Sequence, residues 1–307
     1  MCMIWGYLRI ITMNNYFISI IPGAGHGCEL VKAIRKYIDI QSIYFENDPY
    51  GLDFIDPGAM IIQRNFPQKG NKLIIMTAYV YRHLEDMYGK NYFKFFDEVT
   101  IIVPDGIIWT DPERFNRAWV NFKVFATHCK IMYRGNYLTR EYYQPFDLHY
   151  IYKTKEKNLV VSHSPFSKEK EREKGTDYLR MLMKELNVEF RIFQNMKWLR
   201  CMQEKAKTHI FIDQIGLRTA LPKNWLGGVG KSGMEAMNLR CCTVSCGEFI
   251  GREIPAPPVA WVTNDNYKEK IKEVIMDKRL RKEYADRQYE WTRIYTNPDF
   301  QARRILE

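Results

Sequence analysis

Apolar positions along the chain fall in short runs that alternate with amphipathic stretches. From Tyr16 the order is an apolar run, YFISII, then the glycine-rich turn PGAGHG, then CELVKAIRKYI, whose apolar positions recur at helical spacing. SIYFEN, KLIIMTAY at 72–79 and EVTIIVPDG at 98–106 repeat the strand pattern. RHLEDMYGKNYFKFF and the stretch from Pro112 to Phe122 have helical composition, and KVFATHCKIMY follows. Strands alternating with helices predict parallel pairing, because parallel neighbours need a crossover connection.

Between Tyr143 and Lys157 the pattern breaks into a proline followed by mixed polar and charged residues, which marks a domain boundary. A second series starts at NLVVSHSP (158–165) and continues through the charged SKEKEREK, the helix TDYLRMLMKEL and the strand VEFRIF. A helix from about Met196 to Lys207 and the strand HIFIDQ (209–214) follow, then a loop rich in Pro, Trp and Gly, KSGMEAMNL and the strand CCTVSC. From Asn264 the chain is helical and heavily charged. The expected architecture is α/β, with two tandem doubly wound, Rossmann-like domains at 1–150 and 151–264. A helical segment at 265–307 packs back on them. Such domains put their strand carboxyl ends face to face across a cleft. That arrangement suits a two-substrate transferase, a sugar-nucleotide epimerase or a two-domain binding protein alike.

Length and composition agree with this picture: 307 residues leave room for two cores, and 46% hydrophobic with 27% charged residues is a globular balance. The net charge of +10 predicts an anionic partner, and its distribution narrows the choice. Residues 1–152 hold 16 basic and 15 acidic residues, 153–207 hold 14 and 8, and 208–307 hold 16 and 13. The excess therefore lies outside the first domain and forms no uninterrupted basic arm, so the anion can be as small as a diphosphate. The apolar N-terminal stretch is interrupted by Arg9 and Asn14-Asn15 and lacks a basic leader, so neither a signal peptide nor a membrane span is expected. Seven scattered cysteines give no disulfide framework, and Cys241, Cys242 and Cys246 lack a second pair at zinc spacing. Reduced thiols in the cytoplasm are the expectation, either free or peripheral at a membrane surface, or in a host cytoplasm for a viral protein.

In the second domain Lys174-Gly175-Thr176 follows a strand and a charged loop and opens a helix. That position offers an ammonium and backbone N–H groups to a phosphate, although a solvated lysine and an ordinary helix cap read the same way. SHSP followed by KGTDYL resembles the "H-x-P…K-G-T" segment of GT-B glycosyltransferases, particularly those like family 4. HIFIDQ followed by WLGGVGKSGMEAMNLRCCTVS resembles a later segment of the same enzymes, over roughly 158–262, and NYKEKIKEVIMDKRLRKEYADRQYEW looks like their closing helix. The resemblance implies that Glu235 bonds the ribose of a sugar nucleotide and that Lys174 faces its phosphates. His163, Ser164, Gly175, Gly230, Lys231, Ser232 and Gly233 then line the donor site. A further Glu often found eight residues before this one is replaced here by Gly227, which leaves the handling of the donor sugar, and retention or inversion, open.

In the first domain PGAGHG resembles the glycine-rich loop edging the acceptor side of the GT-B cleft, with Gly23, Gly25 and Gly27 in it; its spacing is not that of a dinucleotide fingerprint. Asp105, at the end of EVTIIVPDG, and His83 and His26 are the candidates for the base that takes the acceptor proton. Each has an equally ordinary reading as a turn or surface residue.

The resemblance thus implies a hexosyltransferase moving sugar from a nucleotide diphosphate, such as UDP-glucose or a similar UDP sugar, to a hydroxyl in the cleft. No cofactor and no metal are implied, since cationic side chains offset the charge on the leaving diphosphate. The acceptor is a saccharide, a lipid-linked sugar or a hydroxymethylated DNA base as in phage enzymes. For DNA, Arg114, Arg117, Lys123, Arg134 and Arg140 are the first-domain residues available to phosphates. The alternative is a non-catalytic binder of a sugar nucleotide or nucleic acid.

Overall fold

The computed structural model describes residues 15–19, 26–45, 60–61, 66–103, 122–126, 139–143, 145, 148, 150–152, 154–165, 168, 171, 174–215, 228–247 and 254–307. Its first part runs β1 (Asn15–Ser19), α1 (His26–Ile34), β2 (Gln41–Tyr44), β3 (Met60–Ile61), β4 (Gly70–Met76), α2 (Ala78–Tyr88), β5 (Phe96–Val103), β6 (Lys123–Ala126) and β7 (Thr139–Glu141). The second continues with β8 (Val160–His163), α3 (Thr176–Glu185), β9 (Glu189–Ile192), α4 (Trp198–Lys207), β10 (Ile210–Gln214), α5 (Lys231–Asn238), β11 (Cys242–Cys246) and β12 (Ala260–Val262). Three helices close the chain: α6 (Tyr267–Met276), α7 (Lys278–Tyr295) and α8 (Pro298–Leu306).

Among the described residues the strands form two parallel sheets, ordered β3-β2-β1-β4-β5-β6-β7 and β12-β11-β10-β8-β9. The expected doubly wound α/β architecture is therefore present twice. In each sheet the order reverses once, between β1 and β4 in the first and between β8 and β10 in the second. Ligands of open parallel sheets bind at the carboxyl ends of the strands flanking such a reversal.

The sequence pattern explains most elements and misses others for local reasons. RHLEDMYGKNYFKFF is not one helix: α2 stops at Gly89, whose φ of 79° lies in the region open to glycine, and a 3₁₀ turn at Lys90–Phe95 follows. The closing helical stretch is three helices, restarted by the caps Asp277 and Asn297, whose side chains accept from Leu280 N and from Asp299 N and Phe300 N. The strands β3, β7 and β12 are too short to announce themselves as apolar runs.

One face of the first sheet packs an aromatic cluster, Phe66, Tyr81, Tyr92, Phe93 and Phe96, with Tyr81 stacked on Phe93 at 4.7 Å. Its other face buries α1 together with Ala302 and Ile305 of α8. The last helix of the chain thus lies on the first sheet's domain, tied by Lys36 Nζ to Asp299 Oδ1 at 2.8 Å and by Arg140 to the Arg304 carbonyl at 3.1 Å. The second sheet is covered by α3, α6 and α7 on one side. On the other lie α4 and α5, packed with Tyr143, Leu148 and Ile151 from the segment leading into β8.

Candidate functional site

At the second reversal, β8 ends in His163 and β10 in Asp213 and Gln214. The His163 ring is fully buried, with Nδ1 2.6 Å from the Ile212 carbonyl and Nε2 2.9 Å from Thr176 Oγ1. Because the carbonyl can only accept, Nδ1 carries the proton and Nε2 accepts from the threonine. Burial, with the positive Lys174 nearby, holds the imidazole down at about 4, so the ring is neutral near neutral pH. It acts as a brace joining β8, β10 and the first residue of α3, with neither nitrogen available to take a substrate proton. Ser164 donates to the Phe193 carbonyl at 3.0 Å, fastening β8 to the end of β9.

Gly175 caps α3 at φ 76° and ψ 28°, a left-handed conformation that explains the glycine. This turn carries Lys174 to Asp213, with Nζ 3.2 Å from Oδ1 and the lysine side chain 21% exposed. Asp213 is fully buried and accepts from Gly230 N at 2.6 Å through Oδ2, which also lies 3.4 Å from Ser245 Oγ. Gln214 and Ser245 both donate to the Gly228 carbonyl, at 2.8 and 2.7 Å. The start of α5 is therefore pinned to two neighbouring strands. A Cβ on Gly230 would lie 3.2 Å from Asp213 Oδ2, and one on Gly233 would lie 2.6 Å from Val229 Cγ1 and 3.1 Å from Asp213 Cγ. The glycines here make room for the aspartate.

One turn into α5, Glu235 is 3% exposed, and its carboxylate accepts from Trp198 Nε1 at 2.9 Å and Lys205 Nζ at 2.6 Å, with Lys231 Nζ 3.8 Å away. Burial pushes this carboxyl up, but Lys205 and Lys231 outweigh it and its pKa is lowered. Burial likewise pulls on Lys205, and Glu235 outweighs it, so that ammonium stays charged. Lys231 differs: burial dominates and its pKa falls. Lys205 also donates to the Ser232 carbonyl at 3.4 Å. The donor-side candidates His163, Lys174, Gly175, Gly230, Lys231, Gly233 and Glu235 thus gather at one sheet edge, together with Thr176, Trp198, Lys205, Asp213, Gln214 and Ser245. Thr176, Asp213, Gln214 and Ser245 lie inside the quoted segments without a role assigned to them, whereas Trp198 and Lys205 lie outside any motif.

The first-domain candidates are not gathered in the same way. Asp105, Gly23 and Gly25 lie outside the described residues. His26 opens α1 and Gly27 is buried behind it. His83 sits on the exposed side of α2 with its ring edge-on to Phe45 at 4.8 Å. Of the basic residues considered for DNA, Arg114, Arg117 and Arg134 are outside the described set, Lys123 pairs with Glu98 at 3.1 Å and Arg140 with Glu307 at 3.6 Å. At the first reversal the structure adds Thr77, a β-branched residue at φ 87° whose N–H donates to Ile102 O and whose hydroxyl caps α2 at Val80 N. Such a residue at positive φ is a genuine outlier and tends to occur at functional edges.

Cys201, Cys241, Cys242 and Cys246 are free thiols, and burial pushes Cys242 and Cys246 up to about 12. Among the described residues no group of three or more His, Cys, Asp or Glu side chains could hold a metal ion, and no helix is long and apolar enough to cross a membrane.

No protein-family profile matches the chain, and no curated protein matches it in sequence. Solved structures do. Anabaena Alr3699/HepE in complex with UDP superposes with a TM-score of 0.61 at 14% identity, over 96% of this chain and 98% of that one. An alpha-glucosyltransferase in complex with UDP and a 13-mer DNA containing an HMU base gives 0.57 at 11% identity, over 95% and 98%. The chain has the GT-B fold, two facing Rossmann-like domains closed by a returning C-terminal helix. Both of these structural neighbours carry UDP, and neither requires an additional domain to complete the superposition.

Proposed function

We propose that the protein is a glycosyltransferase that takes a sugar from a nucleotide diphosphate, a UDP sugar, and passes it to an acceptor hydroxyl between the two domains. The observation that carries this reading is the convergence of Lys174, the start of α5 and the ionised Glu235 on the carboxyl edge of the second sheet, at its reversal point. Lys174 and the N–H groups at the head of α5 meet the diphosphate, where they offset charge on the leaving group. Glu235 accepts from the ribose hydroxyls with the lone pairs left by Trp198 and Lys205, which fix its orientation and charge. His163 and Ser164 wall this site without entering the chemistry. We assign donor binding to 151–264, the acceptor side to 1–150 and the returning strap to 265–307, with the acceptor base among Asp105, His83 and His26.

The test is a mass-spectrometric screen of nucleotide sugars for released nucleotide diphosphate, run with and without excess EDTA. Release from one UDP sugar that persists in EDTA is the expected result. Binding without release identifies a non-catalytic sugar-nucleotide binder, and loss in EDTA restored by Mn²⁺ or Mg²⁺ overturns metal-independent catalysis. The acceptor hydroxyl is carried by a saccharide, a lipid-linked sugar or a hydroxymethylated DNA base. Salt dependence separates these, because each DNA phosphate contact gives a log–log slope of about −0.9 and a neutral saccharide gives almost none.

A further inference from the structure

Asp213 closes the HIFIDQ segment, where the resemblance gives it no role, yet it is where three separate segments of the second domain meet. It is the residue at which the register of β10 against β11 shifts, Ile212 opposing Val244 and Gln214 opposing Ser245. An extra residue of this kind bends the strand and re-aims its side chain. Here it turns a carboxylate into the interior with no exposed surface, a costly placement unless every oxygen is partnered. Oδ1 takes Lys174 from the turn before α3, and Oδ2 takes Gly230 N at the head of α5, with Ser245 Oγ of β11 3.4 Å away. Gly230 and Gly233 leave only contact distance around it.

The carboxylate therefore fixes the spacing between Lys174 and the first turn of α5. An ammonium has three donors and this aspartate accepts one, so its partner keeps donors for a second anion. We propose that Asp213 is a positioning residue for the nucleotide diphosphate, holding the Lys174 ammonium and the α5 N-terminus at the separation at which both meet it. The proposal rests on the donor-site reading above. It makes Asp213 act through Lys174 and Gly230, without touching the nucleotide.

The experiment is calorimetric titration of UDP and of uridine into wild type, Lys174→Ala, Asp213→Asn and the double variant, each with a melting curve. Wild type should bind both. Each single variant should lose about tenfold or more in UDP affinity, as for a charge-assisted contact, with uridine binding unchanged. The double variant should be no more than about twofold weaker than the worse single one, because both remove the same contact. A merely structural role would weaken uridine as well, or give additive losses, and either result overturns the proposal while leaving the donor site standing. Failure of wild type to bind UDP overturns the donor-site reading and this inference with it. Should Asp213→Asn fail to fold, the Lys174 ammonium is followed by NMR in wild type, assigned with Lys174→Arg. A shift on adding UDP and none on adding uridine supports the proposal, and no shift with UDP overturns it.

Discussion

In the second sheet the strands flanking the reversal, β8 and β10, end in a buried histidine and a buried aspartate. In the first sheet β1 and β4 lead instead into a glycine-rich segment and into Thr77, held at φ 87°. The second edge is a closed network of ions and hydrogen bonds, Lys174–Asp213–Gly230 beside Trp198–Glu235–Lys205. The described ion pairs of the first sheet lie partly exposed on strand flanks, as in Lys72–Glu98–Lys123, while its interior is aromatic. Burying ionised groups costs more than apolar packing would, so a sheet that needed only a core would not keep them. Perturbed, paired ions at a sheet's ligand edge are what a preorganised anion site looks like, and only one of the two described edges has them.

The sharpest way to break this contrast is Lys205→Met. It leaves Glu235 buried without its ammonium and should cost about 3–5 kcal/mol in urea unfolding. Glu235→Gln should also destabilise, because it strands Lys205. Replacing both by Met should recover most of the stability yet leave UDP binding lost, which separates the fold's need for the pair from the ligand's need for Glu235. A loss below about 1 kcal/mol for Lys205→Met would mean the buried network is no different in kind from a surface pair.

His163 gives the next largest effect. Its folded value of about 4 lies below the ordinary 6.5, so the unfolded chain binds more protons between those two values. Stability contributed by the neutral ring is complete above about pH 6.5 and is lost as pH falls towards 4, by roughly 3 kcal/mol. His163→Gln, compared with wild type by urea titration at several pH values, should flatten that part of the profile. An unchanged slope would remove His163 from the brace.

How much of this was readable beforehand depends on the range of the interaction. Strand–helix alternation is local, so β1, α1, β4, β5, β8, α3, β10 and α5 follow from apolar spacing alone, and the K-G-T and G-M-E-A-M segments point to the donor edge. Lys205 reads as one more charge in QEKAK, because its partner Glu235 lies 30 residues on and only the packing of α4 against α5 joins them. Asp213 is visible as the Asp of HIFIDQ, but its contacts with Lys174 and Gly230 are not, since a register shift between two strands leaves no periodic trace. Thr77 carries a backbone outlier that its residue type argues against.

A smaller effect sharpens the account of the glycines. Gly233→Ala gains up to about 1 kcal/mol of helix propensity and loses more by overpacking, since its Cβ would meet Val229 Cγ1 at 2.6 Å and Asp213 Cγ at 3.1 Å. The net loss expected is about 1–2 kcal/mol, accompanied by weaker UDP binding if Asp213 shifts. A variant as stable as wild type, with wild-type UDP affinity, would show that the loop has slack the contrast denies it.

The smallest effect belongs to the other side of the comparison. Burial works to raise Glu98, but the hydrogen bonds from Lys72 at 2.7 Å and Lys123 at 3.1 Å outweigh it, and its pKa is lowered. The pair therefore stabilises the fold above the ordinary carboxylate range, and that contribution disappears as pH falls through the lowered value. All three side chains remain 24–34% exposed, so water screens the attraction and Glu98→Gln should cost no more than about 1 kcal/mol near neutral pH. At about 1 M salt, where the screening length falls to about 3 Å, the difference between wild type and variant should shrink further, whereas the loss in Lys205→Met should hardly change because a pair that is 1% and 3% exposed is screened far less. Urea unfolding of both variants at low and high salt measures the two responses side by side. Equal salt sensitivity would place the second sheet's network in solvent and remove the physical basis for treating it as a preorganised site.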